Sequence, residues 1–423
     1  MMEHDMKRIR ETSYNHLDGK LQTLMHYVSA DNLCEVHRHQ MKNKAIGVDE
    51  VTKEEYELNL DDNIQDLVAR MRNFGYHPKP TRRKYIPKAN GKMRPLGIIS
   101  YEDKLVQKVM ADILVNIYEP RFLTTSYGFR PKFSCHDVIR DINSTIMNNN
   151  IKWIVEADIK GFFDNLSHDW LMKFLEHDIE DKNFLRYIKR FLIAGVMDEG
   201  KFFETDKGAI QGGNLSPVLA NVYLHYVLDL WFDKVVKPRM KGKAFIQRYA
   251  DDFICEFENQ EDAEQFYRVL PKRLGKFGLD VAEEKTRIFP FGRHSRSKET
   301  FDFLGFKFIN GKTKKGYYKV VIITSSKTLK AKKLAVKDWI QLQMHRPIVE
   351  IIHKLNRKLV GHYRYYGING NTVMMSKLYH YCIRRLFRAL QRRGQRHRLR
   401  WEKFLRIMEF TPIVGPKIYV QIW

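Results

Sequence analysis

Cysteine is scarce in this sequence, and its four cysteines (Cys34, Cys135, Cys255 and Cys382) are widely spaced. Such spacing provides neither a disulfide framework nor the clustered ligands of a zinc site. Long hydrophobic runs are also missing, since no stretch approaches the roughly 20 apolar residues that a membrane-spanning helix needs. The N-terminal residues contain no apolar region of the kind found in signal peptides. We therefore expect a cytoplasmic protein with no membrane partner.

Acidic residues are too few to balance the basic ones: 50 Asp and Glu stand against 74 Lys and Arg, which gives a formal net charge of +24. This excess raises the affinity for polyanions, and phosphate contacts supply most non-specific binding to nucleic acids. Hydrophobic residues make up 43% of the 423 residues, enough for about two or three folded domains. The composition thus predicts a folded protein that binds nucleic acid.

Two adjacent carboxylates, Asp251 and Asp252, stand between apolar, aromatic-rich segments of strand character. This pattern predicts a tight β-hairpin with the acids at its turn, although an exposed Asp-Asp turn without chemistry explains the pattern equally well. A third acid, Asp158, ends a similar apolar run that Gly161 breaks. Three carboxylates brought together could hold two Mg²⁺ ions about 3.5–4 Å apart, an arrangement that activates a 3′-hydroxyl and stabilises a leaving pyrophosphate.

These acids belong to a wider pattern. Tyr-Ala-Asp-Asp at 249–252, Asp158 and Gln-Gly-Gly-Asn-Leu-Ser-Pro at 211–217 resemble the motifs of a reverse transcriptase of the group II intron type, and the resemblance spans residues 44–420. It implies an α+β, right-hand polymerase with fingers, a ferredoxin-like palm and a three-helix thumb. The implied domains are a mostly helical N-terminal extension (1–75), fingers and palm (76–308), and an RNA-binding thumb or maturase (X) domain (309–423).

The resemblance also implies the metal site. Asp158, Asp251 and Asp252 would be the catalytic acids and would hold two Mg²⁺ ions, with Mn²⁺ as a substitute. The backbone carbonyl of Ile159 would complete the coordination shell of one ion. Asp164 is more easily explained as a residue that orients backbone or a helix cap.

Five residues would surround the incoming nucleotide. Lys88 and Arg94 lie in a predicted β-hairpin around Asn90-Gly91 and would grip the triphosphate. Phe163 would exclude a ribonucleotide's 2′-hydroxyl, although it could also be a core aromatic residue. Gln211 would lie beside the nucleotide in a loop that we expect to be loosened, because Ile210 replaces the family's usual proline. Lys285 would assist pyrophosphate departure, the alternative being an ordinary surface lysine.

Template and primer would contact a second group of residues. Gly305 would let the backbone approach the primer, and Arg130 would either touch a phosphate or form a structural ion pair. The arginines of the hairpin could alternatively serve only to keep an edge strand soluble. A dense, unbalanced basic stretch near the C-terminus favours an RNA-backbone surface over an ordinary solvated helix face. The predicted nucleic-acid-binding residues are Arg82, Arg83, Arg130, Gly305, Arg384, Arg385, Arg388, Arg392 and Arg393.

Helical periodicity predicts three helices after residue 325, at 326–344, 348–366 and 373–393. The second carries an apolar stripe that includes Ile351, Ile352, Leu355 and Leu359. Its tyrosines at 363, 365 and 366 would either stack on bases or pack between helices.

The expected function is that of an RNA-directed DNA polymerase, intron-encoded and assisting RNA splicing. It would use an RNA template, in the form of structured intron RNA, together with a DNA primer and dNTPs. One alternative is a non-catalytic maturase whose polymerase core is only a scaffold, and another is a domesticated, defence-associated reverse transcriptase. No His-Asn-His ligand cluster is visible, so we expect no cleavage of target DNA by this chain. The oligomeric state is left open.

Overall fold

A computed structural model of the chain describes residues 2–87, 93–209, 211–295, 297–393 and 399–423. The chain divides into two compact units, each assembled from several segments. The first comprises Met1–Ser134, Val155–Cys255 and Glu261–Ile288, and the second comprises Cys135–Ile154, Glu256–Gln260 and Phe289–Trp423.

The described residues form helices and strands in a mixed order along the chain. The α-helices are α1 (Met2–Asn15), α2 (Ala30–His39), α3 (Lys53–Glu57), α4 (Leu60–Arg72), α5 (Tyr101–Tyr118), α6 (Cys135–Asn148), α7 (Phe162–Asn165), α8 (His168–Asp178), α9 (Lys182–Leu192), α10 (Ser216–Leu224), α11 (Gln260–Gly275), α12 (Ser326–Gln343), α13 (Ile348–Tyr366), α14 (Thr372–Gln391) and α15 (Trp401–Phe410). The strands are β1 (Thr81–Pro87), β2 (Met93–Ile98), β3 (Trp153–Asp158), β4 (Val196–Asp198), β5 (Lys201–Phe203), β6 (Ala244–Tyr249), β7 (Asp252–Phe257), β8 (Arg287–Pro290), β9 (Thr300–Phe303), β10 (Phe306–Lys312) and β11 (Tyr318–Thr324). This mixture of helices and strands confirms the predicted α+β class.

Local sequence explains where the N-terminal helices begin. Ser29 accepts a hydrogen bond from the backbone N–H of Asn32 and caps α2, while Thr52 and Glu55 form a reciprocal capping box at α3. These helices pack around α5, whose residues are mostly buried because apolar side chains occur on nearly all of its faces.

The predicted hairpin of residues 81–98 is present as an antiparallel β1–β2 pair. Its turn lies outside the described residues. Strand β4 pairs in parallel with β1, and the resulting edge sheet has the order β2-β1-β4-β5.

A second sheet, here called the central sheet, has the strand order β6-β7-β3-β8. Most residues of β3 and β7 are apolar, and both strands are largely buried. After α10, the chain continues through two π-helical turns, His225–Asp229 and Phe232–Val236. Such turns are rare and are frequently found at functional sites.

The second unit contains the sheet β11-β10-β9 and the helices α12 to α15. The three helices predicted here are confirmed within a few residues, and the stripe of α13 is buried against residues of α14 such as Leu378 and Leu386. Strands β10 and β11 were not predicted. The predicted domain boundary after residue 308 stays a prediction, and that position lies inside β10.

None of the helices in the described parts of the chain has both the length and the hydropathy required to cross a bilayer.

Candidate active site

The turn that carries Asp251 and Asp252 joins two neighbouring strands of the central sheet. Strand β6 ends at Tyr249 and β7 begins at Asp252, so only two residues connect them. Ala250 has a φ of 59°, in the left-handed region that a tight hairpin turn requires. The predicted hairpin is therefore confirmed, with both acids at its tip.

Asp158 lies at the C-terminal end of β3, which pairs with β7 in the same sheet. Its backbone carbonyl accepts a hydrogen bond from Ala282 N–H at 2.8 Å. The next residue, Ile159, forms an isolated bridge with Val281. The side chain of Asp158 accepts a hydrogen bond from Nζ of Lys285. The structure thus brings Lys285, distant in sequence, directly to the first predicted catalytic acid.

The three acids influence one another electrostatically. Burial raises the pKa of Asp251, and the negative charge of Asp158 raises it further, while Arg94 and Lys285 oppose the shift. Asp252 is exposed at the start of β7. Desolvation by the surrounding atoms, followed by the charges of Asp251 and Asp158, nevertheless raises its pKa to about 7. Like charges held this close favour protonation or a cation.

Across the described residues, no three Asp, Glu, His or Cys side chains already stand in a metal-binding arrangement. Asp158 is instead bonded to the ammonium of Lys285. The donor set nevertheless fits a divalent cation, because Mg²⁺ and Mn²⁺ prefer carboxylate oxygens. The mutual repulsion of the three carboxylates, expressed in the raised pKa values of Asp251 and Asp252, is a charge that such an ion would neutralise.

Sequence reasoning missed Arg248, the residue that anchors this turn. Its guanidinium donates to the carbonyl of Ala250 at 2.9 Å, to Oδ1 of Asn221 at 3.0 Å and to Oγ of Ser126 at 2.7 Å. It also forms an ion pair with Asp229, at the end of the first π-helical turn. The only signal in the sequence was an arginine three residues before the acidic pair. That this arginine is fully buried cannot be read from the sequence.

The loop at residues 125–131 also holds the turn. Backbone hydrogen bonds join Thr125 and Tyr127 to Arg248 at 2.9 Å each. A Cβ atom on Gly128 would lie 2.3 Å from the backbone nitrogen of Ala250. Only glycine allows this approach, which explains why glycine occupies position 128 in the segment Tyr-Gly-Phe-Arg-Pro at 127–131.

A cavity of about 280 Å³ lies beside the β1–β2 hairpin, and its lining contains two of the residues predicted to bind the nucleotide, Phe163 and Gln211, together with Asp164. Nε2 of Gln211 donates to Oδ1 of Asp164 at 3.3 Å. The neighbouring Gly212 has a φ of 113°, and a Cβ there would lie 2.6 Å from the carbonyl oxygen of Gly97. The structure therefore brings Phe163 and Gln211 together. Ile210, the departure from the family pattern, lies outside the described residues.

The structure describes three of the four basic residues predicted in the β1–β2 hairpin. Arg94 lies on β2 opposite Ile86, whereas Lys88 falls outside the described residues. Arg82 donates to the carbonyl of Ile46. Arg83 lies 3.6 Å from a carboxylate oxygen of Asp198 and lines the 280 Å³ cavity.

Arg130 corrects one expectation. It is buried, its Nε and Nη2 donate to Glu119 at 3.1 and 3.0 Å, and its Nη1 donates to the carbonyls of Leu123 and Ser126. The structural ion pair, and not a phosphate contact, is the role that these bonds support.

In the second unit, Leu304 and Gly305 form the two-residue turn between β9 and β10, with φ angles of 49° and 79°. A Cβ on Gly305 would lie 2.5 Å from the hydroxyl of Tyr366. The glycine is thus also required by packing inside this unit.

The predicted basic residues of the second unit lie on and just after α14. Arg385 donates to the hydroxyl of Tyr381 at 3.0 Å, and Arg393 donates to the carbonyl of Arg346. Arg384, Arg388 and Arg392 are exposed. Arg385, Arg388 and Arg392 line one cavity of about 250 Å³ together with Lys337 of α12.

Comparison with known proteins agrees with this geometry. A family model described as reverse transcriptase (RNA-dependent DNA polymerase) matches residues 86–308. A model described as group II intron, maturase-specific domain, matches residues 329–406.

Two curated proteins illustrate the similarity. The chain is 29% identical to the group II intron-encoded protein LtrA of Lactococcus lactis, over 86% of this chain and 74% of that protein. It is 32% identical to protein YkfC of Escherichia coli, over 65% of this chain and 78% of that protein. Since the first family model covers more than half of the sequence, the chain belongs to the reverse transcriptase family, and it is a reverse transcriptase of the group II intron type with a maturase-specific domain.

Proposed function

We propose that Asp158, Asp251 and Asp252 are the catalytic acids with which this chain copies RNA into DNA. The observation that supports this is the position of the three carboxylates at the ends of adjoining strands, where the charge of Asp158 raises the pKa values of Asp251 and Asp252. They would hold two Mg²⁺ ions, or Mn²⁺ in their place, with the carbonyl of Ile159 as a further ligand. Bound ions of this kind lower the pKa of the primer 3′-hydroxyl and neutralise charge on the departing pyrophosphate.

The remaining residues would position the nucleotide and stabilise its charge. Arg94, with Lys88, would hold the triphosphate of the incoming dNTP. Phe163 would fill the space that a 2′-hydroxyl needs, and Gln211 would contact the nucleotide from the opposite loop. Lys285 would exchange its bond to Asp158 for the phosphates and donate to the leaving pyrophosphate.

The finer architecture is part of the same proposal. The edge sheet β2-β1-β4-β5 would be the fingers, the central sheet the palm, and α12, α13 and α14 the thumb. Gly305 would lie at the primer grip. The partners would be a structured intron RNA as template and a DNA primer.

Primer extension on an RNA template tests the catalytic assignment. We expect Asp251→Ala to abolish cDNA synthesis, and Asp62→Ala to leave it intact, because Asp62 is an exposed carboxylate of α4. Undiminished cDNA from Asp251→Ala would refute the assignment.

We propose a second activity, assistance of RNA splicing, because residues 329–406 match a maturase-specific domain. The arginines of α14, with Lys337, would bind the RNA backbone. Measuring splicing of a group II intron transcript with Asp251→Ala separates the two activities. Splicing that survives while cDNA synthesis is lost supports a maturase role independent of polymerisation, whereas no acceleration of splicing by the wild-type protein would reject it.

In a binding assay with the same transcript, Arg388→Gln combined with Arg392→Gln should weaken RNA binding about uniformly across sequences. The magnitude of the slope of log affinity against log salt concentration should fall by about two. An unchanged slope would show that these arginines do not contact phosphates.

A further inference from the structure

The second unit contains a cavity of about 540 Å³ between α12, α13 and α14, and no residue of its lining has been given a role at the proposed polymerase site. This volume lies within the range of about 300–1,000 Å³ typical of small-molecule sites. The wall combines apolar residues such as Val336 and Leu359 with the aromatic side chains of His362, Tyr365 and Tyr366.

His362 provides the polar specificity of this cavity. The residue is only 7% exposed, and neither of its ring nitrogens has a hydrogen-bond partner among the described residues. Burial, together with the charge of Lys332, lowers its pKa to about 4. The ring is therefore neutral at pH 7, with one N–H donor and one acceptor available. A buried polar group without partners is costly, so a ligand that supplies them binds favourably.

Gly361 leaves open space at one wall of the cavity. It lies inside α13, where glycine is a poor helix former, and a Cβ there would meet nothing within 4 Å. Its backbone does not adopt a left-handed conformation either. Neither packing nor backbone geometry within the described chain thus accounts for glycine at this position, which borders the cavity.

The rim of the cavity is positively charged. Lys332, Arg357 and Lys358 contribute to its lining, and no carboxylate does so among the described residues. Nζ of Lys358 lies 5.1 Å from the ring centre of Trp339. All three cations are exposed and can reach an anionic group at the entrance.

We propose that this cavity binds one unpaired nucleotide of a structured RNA. The base would lie against Tyr366 and His362, whose ring centres are 4.7 Å apart, and its edge would form the hydrogen bonds that His362 lacks. The flanking phosphates would contact Lys332 and Arg357. Flat aromatic walls, open hydrogen-bonding groups and a cationic rim are the features by which proteins hold unstacked bases. The inference rests on the proposed function only in that the ligand is RNA.

Binding of two matched RNA hairpins to the full-length protein tests the proposal. One hairpin carries a single bulged nucleotide and the other is fully paired. Because stacking of one base contributes about 1–3 kcal/mol, we expect wild-type protein to prefer the bulged hairpin by about fivefold or more. Equal affinity for the two hairpins would overturn the proposal and would indicate phosphate binding alone.

Substitutions that fill the cavity test whether the preference for the bulged hairpin arises there. Gly361→Leu, on α13, and Ala335→Leu, on the facing side of the cavity, should each abolish it, whereas Gly361→Ala should retain most of it. Gly275→Leu is the matched control, since Gly275 is an equally open helical glycine outside the cavity. A preference that persists in both cavity-closing variants would overturn the proposal.

Photocrosslinking gives a readout that does not depend on any variant. A 5-iodouridine at the bulge should crosslink to the peptide containing Tyr365 and Tyr366, and crosslinking elsewhere would count against the cavity. Primer extension by the same wild-type preparation reports on the polymerase function, so its failure is distinguishable from failure of this site.

Discussion

Arg248 and Asp229 form a buried ion pair in which Nε and Nη2 of the arginine donate to the two carboxylate oxygens at 2.8 and 2.6 Å. Their side chains are 0% and 1% exposed. Because the same guanidinium also donates to the carbonyl of Ala250, the pair is linked directly to the turn that carries Asp251 and Asp252. The position of the proposed catalytic acids therefore depends on a charge pair deep inside the first unit.

Removing one member of this pair should strongly lower the stability of the folded protein. Asp229→Ala leaves the arginine charge buried without compensation, and we expect the free energy of unfolding to fall by about 3–5 kcal/mol. Glu11→Ala is the matched control, because it breaks the exposed Lys7–Glu11 pair and should cost no more than about 0.5 kcal/mol. Urea denaturation measures both. Similar losses in the two variants would contradict the structural importance assigned to the buried pair.

Gly128→Ala should impair catalysis through the turn. The added Cβ would lie 2.3 Å from the backbone nitrogen of Ala250, so the turn or the loop must move. Because misplacement of catalytic groups by about 1 Å can cost 100-fold in rate, we expect kcat for primer extension to fall by about 100-fold. Gly275→Ala, where the new methyl group meets nothing within 4 Å, should retain the wild-type rate. A Gly128→Ala enzyme with normal kcat would show that the contact has no influence on the acids.

Phe163→Val should relax the choice of sugar. A smaller side chain in the cavity next to Gln211 leaves room for a 2′-hydroxyl, and we expect the ratio of kcat/KM for dGTP over GTP to fall by about tenfold or more. Single-nucleotide incorporation on an RNA template measures this ratio. Phe162→Leu is the control, because its side chain is buried and its loss should reduce stability without altering the ratio. An unchanged ratio in Phe163→Val would assign Phe163 to the core alone.

Lys285→Met should separate metal binding from turnover. Without the ammonium that bonds to Asp158, less Mg²⁺ should be needed for half-maximal activity. At saturating Mg²⁺, loss of a proton donor to the pyrophosphate should lower kcat by about 100-fold. Titration of Mg²⁺ in primer extension gives both values, with the exposed Lys276→Met as control. A higher Mg²⁺ requirement together with normal kcat would contradict both roles.

His225 should make the protein acid-sensitive. Burial lowers the pKa of this histidine from 6.5 to about 4 in the folded state, so the unfolded chain binds a proton first as the pH falls. Stability is therefore full above pH 6.5 and is lost between pH 6.5 and about 4. We expect His225→Phe to remove about 2–3 kcal/mol of the loss measured between pH 7 and pH 4.5. An identical loss in wild type and variant would show that His225 does not titrate in this range.

Much of the fold was accessible from local patterns. Helices α12, α13 and α14 were predicted within a few residues, because each has apolar residues at helical spacing. Strands β10 and β11 were missed although they form a local antiparallel hairpin. The Asn310-Gly311 pair is a turn signal in sequence, but in the structure it lies inside β10. For Arg130 the sequence left a phosphate contact and a structural ion pair open, and burial next to Glu119 favours the ion pair.

The sequence alone determined the chemistry of this protein: its excess of positive charge, its three acids and the motifs around them depend only on residue identity and order. The tertiary structure decided how these acids are held. It placed the ammonium of Lys285 on Asp158, buried Arg248 and Asp229 beneath the turn, and closed a cavity around His362. These relationships arise from pairing and burial between distant segments, and their energies depend on the local loss of water, which no short stretch of sequence encodes.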